Sequence, residues 1–238
     1  QSLLHLIERP NVRPAIMTRP IISALRCHPN FPSIVEAVIS NQKDGKIPYR
    51  DFARQLSAIP LFLRILELNP IFDLEIERML TVLRRAMLQD TTEAETEMEV
   101  LSFSVVLAHN SFTNEYVFAE TEEETKAVEK LERQIAALVE NGQDVPSSFI
   151  VTLGTYRPLF DFPWAQKLSE QEWEDSVRSV ITRQITEPLE ERSLRNQIPC
   201  ITPIQDTTSQ SVRVQYEETP SPRWIKKVTL IESKSLIS

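Results

Sequence analysis

Glycine is scarce in this sequence of 238 residues. It occurs three times, at Gly45, Gly142 and Gly154, whereas average usage would give roughly 16. Residues without a side chain adopt positive φ at little cost, and tight β-hairpins depend on such positions. The shortage therefore argues against a meander of short strands. The sequence also contains 16 prolines, and helices separated by prolines fit this composition better.

The sequence lacks the motifs that mark common catalytic and cofactor sites. It has no Gly-x-Gly-x-x-Gly, no GxxxxGK[ST], no HExxH and no G-x-S-x-G, so the usual phosphate loops, zinc sites and serine nucleophiles are not indicated. Glu93, Glu95, Glu97 and Glu99 alternate by two, so a helix would scatter them around its axis. The histidines are isolated in sequence and are expected to be structural: His5, His28 and His109. We therefore predict no catalytic residue, metal or cofactor within this chain.

The two cysteines, Cys27 and Cys200, are too far apart to suggest a disulfide framework or a metal-ligand pair. A reduced, cytoplasmic setting is therefore the default expectation. No apolar run reaches the roughly 18 residues of a membrane span, so no membrane association is predicted. The first residues, QSLLHLIERP, do not resemble a signal peptide. Because they also lack a methionine, we expect the chain to be a fragment.

Negative charge is concentrated in one part of the chain. The formal net charge is −8, and residues 90–124 contain ten Asp or Glu but no Lys or Arg. Such a block repels phosphate backbones, so nucleic acid is not expected as a partner. Just before it lies a group of charged residues that is interpreted as an exposed face with ion pairs. The alternative is that the group docks onto the acidic segment or onto a partner. Its members are Glu75, Glu77, Arg78, Arg84 and Arg85.

Apolar residues recur at intervals of three and four along several stretches, which predicts helices. In 71–88 the stripe consists of Phe72, Ile76, Met79, Leu80, Leu83 and Met87. In 96–112 it consists of Met98, Leu101, Val105 and Phe112. Further apolar residues widen this second stripe, so we predict that 96–112 is a central helix. Other helices are predicted at 15–26, 32–40, 49–57, 59–70 and 207–217.

Local signals at helix ends support this assignment. Thr121 and Glu124 match a capping box, and the helix that they open ends at residues 141–142, Asn-Gly. Ser169 and Glu172 suggest a second capping box. The predicted fold is all-α: a single multi-helix domain of about eight to ten helices spanning 1–224. Two lobes divided near 141–147 are the open alternative within this fold.

The end of the predicted central helix carries candidate pocket or interface residues. Asn114, Glu115 and Tyr116 form a polar group that would line a pocket. The alternative is that Asn114 and Glu115 satisfy helix-terminal backbone groups while Tyr116 and Phe118 fill the core.

Three segments together resemble one region of a known family. They are PLFLRILELNPIFDLEIERMLTVLRRAML (60–88), LAHNSFTNEYVFAETEEE (107–124) and EPLEERSLRNQIPCITPIQDTTSQSVRVQYEETPSPRW (187–224). This order resembles the region before the catalytic domain in bacterial proteins that join tetratricopeptide repeats to an S-adenosylmethionine-dependent methyltransferase. In that family, stretches like NEYVF and QYEENPYPRW occur, and the latter leads into the catalytic fold. Here Thr219 stands where the family tends to have Asn, and Ser221 where it tends to have Tyr.

The resemblance gives the QYEETPSPRW stretch two readings. It implies that Tyr216, Arg223 and Trp224 would pack at the mouth of the methyl-donor pocket, as weak cofactor-binding candidates. Alternatively, Trp224 anchors the last helix and Arg223 pairs with Glu217 or Glu218. The chain ends before the glycine-rich loop that would hold the donor. S-adenosylmethionine is therefore implied only for a longer parent protein.

The resemblance implies a non-catalytic accessory region that positions substrate or caps the catalytic domain. Its partner would be its own methyltransferase domain or another protein, and residues 225–238 would be a C-terminal tail or the start of a truncated catalytic domain. The alternative is a free-standing helical module for protein–protein interaction. A self-contained enzyme with an unrecognised site is the third hypothesis.

Overall fold

The computed structural model describes residues 2–42, 47–91 and 96–195. Within these ranges the chain forms eleven helices and no strand, so the all-α prediction is confirmed. The first five helices are α1 (Ser2–Glu8), α2 (Pro14–Arg26), α3 (Phe31–Asn41), α4 (Tyr49–Ser57) and α5 (Pro60–Leu68). The next five are α6 (Leu74–Asp90), α7 (Met98–Thr113), α8 (Glu122–Glu140), α9 (Ser147–Leu153) and α10 (Ala165–Glu170). The predicted helix 207–217 and the tail 225–238 lie outside the described residues.

The last helix, α11, is one continuous rod with an irregular centre. It is α-helical over Asp175–Ile181, π-helical over Thr182–Thr186 and α-helical again over Glu187–Arg195. Pro188 follows the π-helical segment inside this continuous helix, and its ring nitrogen cannot donate a hydrogen bond to the preceding turn. A short 3₁₀ turn, Leu159–Asp161, precedes α10.

The predicted helix ends were right in one place and wrong in another. The capping box of α8 is confirmed: Glu124 N–H donates to the Thr121 hydroxyl at 3.3 Å, and Thr121 N–H donates to the Glu124 carboxylate at 3.0 Å. The second capping box is wrong, because Ser169 lies inside α10 and donates to the Gln166 carbonyl. The next helix begins only at Asp175.

Helix α7 is the centre of the molecule, as predicted. Every residue from Val100 to Thr113 except Ser102 is buried, and α7 packs against α4, α5, α6, α9 and α11. Two residues assigned to apolar stripes are exposed. Met98 begins α7 and is 76% exposed, whereas Phe72 precedes α6 and is 90% exposed. Buried apolar residues on both sides of 141–147 belong to one contiguous core.

Helix α8 ends at Gly142, in agreement with the sequence signal. Gly142 has φ +66° and donates its N–H to the Val139 carbonyl at 3.2 Å, while Gln143 N–H donates to the Leu138 carbonyl at 2.9 Å. A Cβ at Gly142 would meet no atom within 4 Å. The left-handed backbone conformation, and not a lack of space, therefore favours glycine here.

We expect Gly142→Ala to destabilise the protein by about 1 kcal/mol, because the Cβ of alanine approaches the following carbonyl oxygen in the left-handed conformation and glycine has no Cβ. Urea denaturation followed by circular dichroism measures this loss. The matched control is Gly142→Asn, since asparagine tolerates the left-handed region and should lose less. Equal stability of the wild type and Gly142→Ala would contradict the backbone argument.

Candidate functional site

The C-terminal half of α7 carries an unusual set of buried polar side chains. His109, Asn110, Ser111 and Thr113 are 3%, 1%, 0% and 7% exposed. Buried polar groups need hydrogen-bond partners, because water is not available to them. The Asn110 amide donates to the Leu66 carbonyl of α5 at 2.9 Å. This half of α7 is therefore joined to its neighbours by directional bonds as well as by apolar packing.

Gln184, in the π-helical segment of α11, connects three parts of the fold. Its side chain is fully buried, and its amide nitrogen donates to the carbonyls of Ala108 at 3.0 Å and Gly154 at 3.1 Å. Its amide oxygen accepts from the Tyr116 hydroxyl at 3.3 Å. A Cβ at Gly154 would lie only 3.2 Å from that amide oxygen. The absence of a Cβ at Gly154 thus leaves room for the Gln184 side chain beside it. The π-helical segment that carries Gln184 is a conformation found frequently at functional sites.

The turn after α7 has strained backbone at two successive residues. Glu115 and Tyr116 have φ values of 60° and 57°, a region that non-glycine residues occupy at a cost of roughly 1–3 kcal/mol each. Tyr116 N–H donates to the Ser111 carbonyl at 2.9 Å, and Asn114 N–H donates to the Asn110 carbonyl at 2.9 Å. Asn114 therefore ends α7. That Asn114, Glu115 and Tyr116 line a pocket or an interface stays a prediction.

His109 is a buried neutral histidine, and one of its ring nitrogens has no hydrogen-bond partner among the described residues. Its Nε2 lies 2.9 Å from the Ser179 hydroxyl, whose proton goes to the Ser176 carbonyl. Nε2 therefore carries the ring proton and donates to Ser179. Burial, assisted by the positive charge of Arg183, lowers the pKa of His109 to about 3. A neutral ring that donates to a serine does not activate it as a nucleophile.

Two buried atoms in this region lack partners. Among the residues that the structure describes, neither Nδ1 of His109 nor the hydroxyl of Ser111 has a hydrogen-bond partner. Such orphan groups are rare in folded proteins, and each calls for an explanation. Of the other histidines, His5 is exposed, and Nδ1 of His28 accepts from Asn30 N–H at 3.3 Å.

An aromatic series extends from the strained turn to α11. The Phe112 ring contacts Tyr116 and Phe160 edge-on, with centroids 6.5 Å and 6.3 Å apart. The Arg192 guanidinium lies 4.4 Å from the Phe160 centroid and pairs with Asp161 at 2.8 Å. Sequence reasoning missed this loop. Its signal was the density of aromatics in FDFPW, residues 160–164.

The charged residues of α6 do not form one exposed face. Arg84 is 1% exposed and lies between the rings of Tyr156 and Phe118, at 4.1 Å and 5.4 Å from their centroids. It also donates to the Ala119 carbonyl at 2.8 Å. The exposed-face interpretation is therefore wrong for Arg84, because ring faces and carbonyls replace water around its charge. Arg78 is exposed, as that interpretation expected.

Glu124 is the counter-charge of this buried arginine. Its carboxylate lies 3.7 Å from Arg84 and 3.0 Å from Arg85, and accepts from the Tyr156 hydroxyl at 2.8 Å. Burial opposes its ionisation, but hydrogen bonds from Thr121 N–H and Tyr156 and the charge of Arg85 hold the pKa of Glu124 below its ordinary value. The alternative prediction, that these arginines dock onto the acidic segment 90–124, is thus confirmed for Arg84 and Arg85.

The remaining sequence candidates can be placed briefly. Tyr216, Arg223 and Trp224 lie outside the described residues. Across 2–42, 47–91 and 96–195, no three His, Cys, Asp or Glu side chains converge as a metal site would require. None of the helices described in these ranges is both long enough and apolar enough to cross a membrane.

Comparisons with protein-family models, curated proteins and solved structures find no match for this chain. The geometry around residues 109–116 is therefore the feature of this chain that bears most directly on function. That region combines a strained turn, a π-helical contact and orphan buried atoms. At its surface the region presents the exposed carboxylate of Glu115 and the half-buried ring of Tyr116 on a turn that buried hydrogen bonds hold in place, which suits recognition.

Proposed function

We propose that this chain is a non-catalytic helical accessory region of an S-adenosylmethionine-dependent methyltransferase-type protein. In this proposal the end of α7 and the turn after it hold the catalytic domain or its substrate in position. The single observation behind it is that a strained turn and two unpartnered buried atoms coincide at residues 109–116, in contact with the π-helical segment of α11. Such features persist where the surrounding structure compensates for them, and they cluster at functional sites.

The contacts of this turn also support the proposal. The NEYVF stretch, 114–118, contains the strained turn itself. The first resembling segment, 60–88, reaches the same loop because Arg84 donates to the Ala119 carbonyl at 2.8 Å. The third resembling segment begins at Glu187, directly after the π-helical turn that contacts Tyr116. The described parts of the three segments therefore lie near one region of the fold, whereas 196–224 are outside the described residues.

A free-standing interaction module is the second candidate, and a different observation favours it. Phe72, Leu74 and Met98 are 90%, 64% and 76% exposed. A partner that covered these apolar side chains would remove them from water and gain binding free energy. Reading the gene past the codon for Ser238 separates the two candidates. A glycine-rich loop after a predicted strand within about 80 residues supports the accessory region. A stop codon supports the free-standing module.

Isothermal titration calorimetry tests the non-catalytic role directly. We expect no heat of binding when S-adenosylmethionine is titrated into this chain, because no described loop resembles a phosphate- or nucleotide-binding turn. Micromolar affinity would contradict the proposal and favour a self-contained enzyme.

A variant of the turn tests the positioning role. If the gene encodes a catalytic domain, we expect Tyr116→Ala to weaken its binding to this chain by about tenfold, a typical loss for a truncated aromatic contact. Tyr116→Phe is the matched control, because it keeps the ring and loses only the hydroxyl bond to Gln184. Undiminished binding by Tyr116→Ala would show that the turn does not hold the domain.

A further inference from the structure

A groove separate from the α7 turn runs between α3 and the start of α6. It has a volume of about 450 Å³, within the range of sites that accept a small ligand or a few side chains. Phe31, Val35 and Ile76 form its apolar floor and are 2%, 8% and 2% exposed. Glu36 and Glu75 are exposed at its rim. The groove thus combines an apolar base with carboxylates at both edges.

The charges at this groove do not balance. Among the described residues that line the groove, Arg26 is the one cation. It is already paired with Asp73 at 2.8 Å and with Glu75 at 3.0 Å. Glu36 forms no ion pair with any residue in the described ranges. Two carboxylates, Glu36 and Glu75, line the described groove against one guanidinium, and Asp73 beside Arg26 adds a further negative charge. The rim is therefore acidic and would attract a cationic partner.

Two exposed apolar side chains lie at and just before the start of α6, next in sequence to the groove residues Glu75 and Ile76. Phe72 is 90% exposed and Leu74 is 64% exposed. They flank Asp73, which caps α6 by accepting from Ile76 N–H at 3.2 Å and which also binds Arg26 at the groove. Burying a phenylalanine removes roughly 150–250 Å² from water. A partner in the groove would therefore gain additional contact area at this end.

We propose that this groove binds a basic amphipathic helix of another protein. In this arrangement apolar side chains of the partner fill the cavity and pack against Phe72 and Leu74. Its Lys or Arg side chains face Glu36 and Glu75. This is the helix-in-groove mode of recognition, in which apolar anchors supply affinity and rim charges supply orientation.

The test uses a labelled peptide of about 14 residues, which as a helix spans about 20 Å. Its sequence contains only Leu and Lys, with Leu at helical spacing. Fluorescence anisotropy is measured with the 238-residue protein. We expect saturable binding that weakens with added salt, and Glu36→Lys should weaken it by about fivefold through charge reversal. Phe72→Ala should weaken it as well, without a change in salt dependence.

Two controls separate the groove from the general negative charge of the protein. Glu129→Lys makes the same charge change at an exposed residue of α8 and is expected to leave binding unchanged. A scrambled peptide of identical composition should bind weakly, since it cannot form an apolar face. Equal binding of the scrambled peptide, or an equal loss in Glu36→Lys and Glu129→Lys, would overturn the proposal. Thermal unfolding verifies that each variant is folded.

Discussion

Replacing Glu124 with alanine is expected to destabilise the protein by about 3–5 kcal/mol, because removing one partner of a buried ion pair leaves the other charge uncompensated. Arg84 is 1% exposed and lies 3.7 Å from this carboxylate. The same substitution removes the capping box with Thr121 and the acceptor of the Tyr156 hydroxyl. Urea denaturation at neutral pH, followed by circular dichroism, measures the free energy of unfolding.

Two further variants show whether the buried charge causes the loss. Glu123→Ala changes an exposed acid in the same helical turn and should cost only about 0.5 kcal/mol through the helix dipole. Adding Arg84→Met to Glu124→Ala removes the unpaired charge and should recover part of the stability. A loss below about 1 kcal/mol in Glu124→Ala would mean that water or another group compensates Arg84.

Lowering the pH from 7 to 5 is expected to cost the wild-type protein about 2 kcal/mol of stability through His109 alone, at 1.36 kcal/mol per pKa unit. Burial, with Arg183 nearby, lowers the pKa of His109 from 6.5 to about 3 in the folded protein. At pH values between about 3 and 6.5, His109 is protonated in the unfolded chain but stays neutral in the folded protein. Stability is therefore complete above pH 6.5 and falls as the pH falls toward 3.

Paired substitutions isolate this contribution. His109→Gln keeps an amide donor for Ser179 and removes the titrating ring, so its stability should change much less between pH 7 and pH 5. His5→Gln replaces an exposed ring and should behave like the wild type. Burial raises the pKa of Glu132, which acts in the opposite direction but is common to all three proteins. An equal pH-dependent loss in His109→Gln and the wild type would contradict the assignment to His109.

Several elements were predictable because their signals are local. The box formed by Thr121 and Glu124 needs only residues three apart. Gly142 follows the end of α8 because glycine adopts the positive φ of this turn at little cost. The Ser169–Glu172 pattern was equally local and still wrong. Trp173 is 7% exposed, and its indole N–H donates to the Leu168 carbonyl at 2.7 Å. With the Trp173 ring buried and bonded to Leu168, residues 171–174 connect α10 to α11 and do not form the first turn of α11.

The candidate site was only partly predictable. The resemblance and the polar trio directed attention to Asn114, Glu115 and Tyr116, but no pattern in the sequence indicated Gln184 or the orphan nitrogen of His109. Gln184 reaches the Ala108 carbonyl across 76 positions of the chain. The sequence alone does not show whether a given glutamine or histidine faces water or a neighbouring helix. Their role depends on which helix packs against them.

Periodicity and capping thus determine the all-α fold class, the central position of α7 and the ends of α8. Both signals involve neighbours within one or two helical turns. The environments of the charged residues follow from the tertiary structure alone. Arg84 and Arg85 are adjacent, yet Arg84 is buried between two rings and Arg85 is half-buried beside Glu124. Those rings and that carboxylate come from positions at least 34 residues away. Burial of a charge is therefore decided by long-range packing, because only packing supplies the groups that replace water around it.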